Sequence, residues 1–168
     1  MTKALMVVDV QASLFLGKWA LPNNAELLSR IGDRVLEARM SGEPVIFVQN
    51  DGPQDELDAP GLPMWDLVIH PRPEELVVRK TTQNVFESNP DLADELRARG
   101  IAEIEACGVQ SELCLISSIR GAHQNGFKVS LSPDLHGTYD GGYPGADSGP
   151  SAKELHDGVQ REVDELSK

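Results

Sequence analysis

Three residues with complementary chemistry follow short apolar segments of the chain: Asp9, Lys80 and Cys114. A cysteine thiolate can attack a carbonyl carbon, a carboxylate can move the proton, and an ammonium group can hold the negative charge. Together they would support nucleophilic acyl transfer. Each also has a plainer interpretation, because a lone cysteine often packs as a small apolar side chain and a lysine often reaches solvent.

The local sequence around Cys114 favours the catalytic interpretation. Residues 112–124 carry apolar side chains at helical spacing, with Ser111 as the expected N-cap and Gly126 as the stop. Cys114 would then lie in the first helical turn, where unpaired N–H groups lower a thiol pKa and can stabilise an oxyanion. Cys107 ends an apolar strand without a charged partner, and we assign it to the core.

The elements that must position these residues alternate along the chain. Apolar segments predict strands at residues 4–10, 44–48, 76–78, 103–108 and 128–131. Helical spacing and capping residues predict helices at 24–41, 89–100 and 112–124, with a terminal helix from Ser151. This order predicts a single domain, residues 1–168, with a three-layer α/β/α sandwich around a mostly parallel sheet.

Ligands of such sheets bind beyond the carboxyl ends of the strands. That edge receives the following residues in the predicted arrangement: Asp9, Asn50, Asp51, Lys80, Cys114 and Asp134. Residues 50–73 form a long proline-rich loop that we expect to act as a lid or a subunit contact, and residues 133–150 have a loop composition.

Composition excludes several classes of function. The formal net charge of −12 disfavours nucleic acid, whose phosphates require clustered Lys and Arg. The amino-terminal apolar segment is too short for a membrane span or a signal sequence, so we expect a cytoplasmic protein without a membrane partner. Two cysteines and four scattered histidines predict neither a disulfide framework nor a structural zinc site.

Four segments, in this order and spacing, resemble the isochorismatase-like cysteine hydrolases, which include nicotinamidases and N-carbamoylsarcosine amidases. They read ALMVVDVQ with Phe15 shortly after, VIFVQN, VVRKTTQNVF and GVQSELC. The resemblance implies that Asp9 is the general acid and base, Lys80 the motif lysine and Cys114 the nucleophile. It also implies a cis peptide between Val109 and Gln110, which would aim the N–H groups of Gln110 and Cys114 at an oxyanion.

The resemblance and the aromatic content indicate where a small-molecule substrate binds, although plain core packing is an alternative for the apolar residues. The expected substrate-contacting residues are Gln11, Leu14, Phe15, Trp19, Trp65 and Phe86. The chain also departs from its relatives in two ways. Ser111 replaces the usual threonine, and no histidine follows the second strand, so we expect no catalytic metal, no cofactor and no nicotinamidase activity.

We therefore expect a hydrolase that cleaves an amide or ureido C–N bond of a small molecule through an acyl-thioenzyme. True isochorismatases resemble this chain in fold but typically lack the cysteine, so Cys114 argues for acyl transfer. The alternatives are an ester or enol-ether hydrolase on the same scaffold, and a non-catalytic thiol sensor or binding domain. Relatives of this fold are commonly homo-oligomers, so we expect a dimer or a tetramer.

Overall fold

A computed structural model describes residues 2–168 and shows a five-stranded sheet in which all strands are parallel. The strands lie in the order β3-β2-β1-β4-β5. They span Thr2–Val8 (β1), Val45–Asn50 (β2), Leu76–Lys80 (β3), Ile101–Val109 (β4) and Lys128–Gly137 (β5). β2 and β3 are added on one side of β1, and β4 and β5 on the other. The strand order therefore reverses between β1 and β4, which is a topological switch point.

Helices cover both faces of this sheet. They span Ala12–Phe15 (α1), Asn24–Ser41 (α2), Val85–Ser88 (α3), Leu92–Ala98 (α4), Ile116–Gln124 (α5) and Ala152–Leu166 (α6). Alternate residues of β1 point to opposite faces: Met6 packs in the cluster with α3 to α6, and Leu5 packs in the cluster with α1 and α2. The expected three-layer α/β/α sandwich is confirmed.

Several element boundaries differ from the expectation. β5 was expected to end at residue 131 but continues to Gly137 through Pro133, which an edge strand tolerates because its outer N–H groups need no partner. Asp134 is therefore an exposed residue within β5, and it does not follow the carboxyl end of the strand as expected. α4 begins at Leu92, after Pro90, and not at Asn89. In residues 2–168 no helix combines the length and the apolar character that crossing a bilayer requires.

Candidate active site

Asp9 lies at the switch point, directly after β1. Its backbone takes a positive φ of 52°, a conformation that Asp tolerates better than most residues, and its N–H donates to Val48 O at 3.0 Å. Gly108 of β4 pairs with Val8 beside it and has a φ of 122°. A Cβ at Gly108 would lie 2.1 Å from Val8 O, so only glycine lets β4 approach β1 this closely.

Lys80, the last residue of β3, brings the three candidate catalytic side chains together. Its Nζ lies 3.0 Å from Asp9 Oδ2, donates to Cys114 Sγ at 3.1 Å and donates to Asn50 Oδ1 at 2.9 Å. An ammonium group has three N–H donors, so these partners use all of them. Lys80 is 1% exposed and Asp9 is 3% exposed, so both charges are held away from bulk water.

Burial dominates the electrostatics of this group. It raises the pKa of Asp9 above its usual value, although Lys80 opposes the shift. Burial lowers the pKa of Lys80, but Asp9 and Cys114 raise it by more, so the ammonium stays charged. Burial and then the Asp9 charge raise the pKa of the Cys114 thiol to about 12, against the effect of Lys80. The expectation of a lowered thiol pKa is wrong, because it considered the helix start without the burial of the thiol and the neighbouring carboxylate.

The segment that carries Cys114 is irregular. The peptide bond between Val109 and Gln110 is cis, and residues Ser111–Leu115 form a π turn that precedes α5. Ser111 was expected to cap the helix but makes no capping bond. Its hydroxyl is buried and lies 2.8 Å from Nδ1 of His136 on β5, so a contact distant in sequence replaces the local one.

A cavity of about 440 Å³ opens over Cys114 and Asp9. Three of the six residues expected to contact a substrate line it: Gln11, Leu14 and Trp19. The other three expected contacts lie elsewhere. Phe15 is fully buried in the core beneath α2, Phe86 packs against Phe127, and the Trp65 ring lies against Arg79 while its indole N–H donates to Asp51.

Gln11 ties the loop between β2 and β3 to this cavity. Its amide donates to the carbonyl oxygens of Asn50 (3.0 Å) and Trp65 (2.9 Å), and its side-chain oxygen accepts from the N–H of Asn50 at 2.8 Å. All of its partners are main-chain groups. Residues 51–75, which we call the β2–β3 loop, are thereby anchored, and three of them, Glu56, Leu57 and Asp58, line the cavity.

Sequence reasoning missed several residues of the site. Asn50 was placed at the right edge of the sheet but not recognised as the third acceptor of Lys80. Asp58 accepts from Asn50 Nδ2 at 2.7 Å, which turns the amide oxygen of Asn50 toward Lys80. Tyr139 lines the cavity, and its hydroxyl donates to the carbonyl oxygen of Trp19. No periodic or motif signal marks Asp58 or Tyr139, because both lie in segments of loop composition.

Two polar side chains near the site are already engaged with other side chains. Asp51 accepts from Arg79 and from Trp65, and Asn50 bonds Lys80 and Asp58. Within the described part of the chain, no group of three or more His, Cys, Asp or Glu side chains is arranged to hold a metal ion.

Comparisons with known proteins agree on one family. Residues 3–146 match the family described as "Isochorismatase domain". The chain is similar to streptothricin hydrolase from Streptomyces noursei, with 41% identity over 140 residues, 82% of this chain and 55% of that protein. It is also similar to ureidoacrylate amidohydrolase RutB from Methylobacterium radiotolerans, with 26% identity over 174 residues, 80% of this chain and 67% of that protein.

Solved structures show the same architecture. An isochorismatase from Pseudomonas putida KT2440 superposes with a TM-score of 0.86 at 24% identity, covering 96% of this chain and 83% of the other. The chain spans about half the length of the streptothricin hydrolases it matches, 55% of one and 50% of another.

Proposed function

Because this chain belongs to the isochorismatase family, we propose that it is a cysteine hydrolase that cleaves an amide or ureido C–N bond of a small molecule. The observation that carries the proposal is the contact of one buried lysine, Lys80, with both Asp9 and Cys114 on the floor of an open cavity. The name ureidoacrylate amidohydrolase, carried by one relative, describes this class of reaction.

Asp9 is the proton acceptor in the proposed mechanism. Its Oδ2 faces Lys80, while its Oδ1 is buried and has no hydrogen-bond partner among the described residues. Transfer of the Cys114 proton to Asp9 leaves the net charge of the two acids and Lys80 unchanged. A thiolate can therefore form inside the site even though the thiol has a pKa of about 12 toward bulk solvent.

The thiolate then attacks the substrate carbonyl carbon, and the carbonyl oxygen becomes an oxyanion. We propose that the backbone N–H groups of Gln110 and Cys114 stabilise this oxyanion, as expected for donors fixed before the reaction. The C–N bond breaks as Asp9 returns its proton to the departing amine, which leaves an acyl group on Sγ.

Water completes the cycle in the second half-reaction. Asp9 takes one proton from the water, the remaining hydroxyl bonds to the acyl carbon, and the C–S bond breaks. The leaving thiolate recovers its proton from Asp9, which restores the starting state. Lys80 keeps Asp9 positioned throughout, since all three of its donors are held by fixed partners.

The test compares the unsubstituted protein with Cys114→Ala and the matched control Cys107→Ala. Product release from a panel of amides, ureides and esters is followed by mass spectrometry, and the protein mass is searched for an acyl adduct on the Cys114 peptide. We expect turnover and the adduct in the unsubstituted protein and the control, and neither in Cys114→Ala. Turnover retained without Cys114 contradicts the proposal, and hydrolysis restricted to esters contradicts the assignment of the C–N bond.

Three further expectations stay predictions. They are a homo-oligomeric assembly as a dimer or a tetramer, a cytoplasmic location, and the organisation of the chain as a single domain. Size-exclusion chromatography with light scattering tests the first of them.

A further inference from the structure

The cavity over Cys114 is acidic. Three carboxyl side chains line it: Asp9 on its floor, and Glu56 and Asp58 from the β2–β3 loop. Among residues 2–168, no Lys, Arg or His side chain contributes to this lining. Carboxylates on the low-dielectric walls of a cleft concentrate their field inside it, so the cavity discriminates between charged solutes.

Lys80 compensates the charge of Asp9 at the floor, so the net negative charge of the cavity comes from Glu56 and Asp58. Lys80 lies beneath the floor, 1% exposed, and its three donors are taken by Asp9, Cys114 and Asn50. The Lys18 ammonium lies 4.6 Å from the ring centre of Trp19 at the rim and is not part of the lining.

Two of the lining carboxylates are not fully paired within residues 2–168. Asp9 is 3% exposed, and its Oδ1 is buried without a hydrogen-bond partner in the described chain. Glu56 is exposed and forms no ion pair within residues 2–168. Asp58 is close enough for its charge to raise the pKa of Asp9, so the loop carboxylates and the floor share one field.

We propose that this cavity selects substrates that carry a cationic group, an ammonium or a guanidinium, near the bond to be cleaved, and that it disfavours anionic substrates. The inference rests on the proposed function, because it names the substrate class of the same site. Glu56 and Asp58 pair with the cation through charge-assisted hydrogen bonds.

The test uses Cys114 itself as the reporter of charge inside the cavity. Its rates of modification by three methanethiosulfonates are measured by mass spectrometry: the cationic ethyltrimethylammonium reagent, the neutral methyl reagent and the anionic ethylsulfonate reagent. Each rate is divided by the rate of the same reagent with free glutathione. We expect the cationic reagent to be preferred over the anionic one by about tenfold or more.

Two variants of the β2–β3 loop distinguish the effect of the cavity carboxylates from the effect of the general surface charge. Glu56→Gln removes a lining carboxylate, and Asp55→Asn removes the same charge from an exposed neighbour that does not line the cavity. We expect Glu56→Gln to reduce the preference about threefold and Asp55→Asn to leave it unchanged. The preference should also shrink in about 1 M sodium chloride, where the Debye length is about 3 Å.

The inference is overturned if the ratio of the cationic to the anionic normalised rate is near one or below one. It is also overturned if Glu56→Gln and Asp55→Asn change this ratio equally. This readout needs no turnover, so its failure is distinct from that of the proposed function, which the Cys114→Ala comparison tests. A matched series of primary amides then links charge to catalysis: 6-aminohexanamide, hexanamide and adipamic acid. The highest kcat/KM is expected for the first, and the highest value for adipamic acid contradicts the inference.

Discussion

The Nζ atom of Lys80 lies 3.0 Å from Asp9 Oδ2, and both side chains are almost fully buried. Breaking a buried pair by removing one partner costs about 3 to 5 kcal/mol, because the other charge is left uncompensated. We therefore expect Lys80→Met to lower the free energy of unfolding by about this amount. Urea denaturation of the purified variant measures the change.

The double variant Asp9→Asn with Lys80→Met provides the control for this prediction. It removes both charges, so its loss of stability should be smaller than the sum of the two single losses. Additive losses would show that the two side chains do not interact in solution.

Burial and then the Asp9 charge raise the pKa of Cys114, so removing Asp9 should shift the pH profile of thiol alkylation as well as slow turnover. We expect Asp9→Asn to lower the thiol pKa from about 12, so alkylation by iodoacetamide should reach its half-maximal rate at a lower pH. Hydrolysis should fall by about 10² to 10⁴, because the proton acceptor is lost. Mass spectrometry of the separate cysteine peptides measures alkylation against pH, with buried Cys107 as the internal reference. A half-maximal pH for Cys114 alkylation that does not fall in this variant contradicts the electrostatic account.

His136 makes stability depend on pH below neutrality. Burial, and then the neighbouring His156, lower its pKa from 6.5 to about 4, while Gln160 and Asp157 oppose the shift. Between pH 6.5 and about 4, His136 is protonated in the unfolded chain but neutral in the folded chain. The free energy of unfolding therefore falls as the pH drops through this range. The shift corresponds to about 3 kcal/mol of unfolding free energy at 1.36 kcal/mol per pKa unit.

The variant His136→Gln should flatten this part of the stability profile. His123, which is exposed, offers the matched control, and His123→Gln should leave the profile as it is. Denaturant unfolding at a series of pH values measures all three proteins. A decline that persists unchanged in His136→Gln would assign the effect to other groups.

Gly108 and Gly32 give opposite predictions for the same substitution. At Gly108 a Cβ would lie 2.1 Å from Val8 O with φ at 122°, so Gly108→Ala should cost about 3 kcal/mol or more. It should also reduce activity, because β4 carries the Cys114 turn. Gly32 lies within α2 with nothing within 4 Å of a Cβ, so Gly32→Ala should stabilise by up to about 1 kcal/mol. Thermal and urea denaturation compare the two, and a stable, active Gly108→Ala protein contradicts the close approach.

Local patterns predicted most of the fold. The bounds of α2 follow from its apolar spacing, since Leu27, Ile31, Val35 and Ala38 are all buried and Gly42 ends the helix in a left-handed conformation. The extension of β5 could not be predicted in this way. Pairing of Gly108 with His136 holds it, and that partner is distant in sequence.

In the candidate site, too, local patterns predicted some residues, whereas contacts between residues distant in sequence could not be predicted. Strand-end polar residues indicated Asp9 and Lys80, because a charge at the end of a buried strand needs a partner or a function. The role of Ser111 depended on His136, and the environment of the Cys114 thiol depended on Asp9, so neither could be derived from its own segment. The catalytic roles of these residues stay predictions.

The way in which Gln11 holds the β2–β3 loop bears on how this protein could evolve. Its bonds reach the backbone of Asn50 and Trp65, so they do not depend on which side chains the loop carries. Substitutions at Glu56 or Leu57 can therefore change what the cavity accepts while the loop stays attached. A lineage could explore new substrates through these positions without first rebuilding the support of Asp9, Lys80 and Cys114.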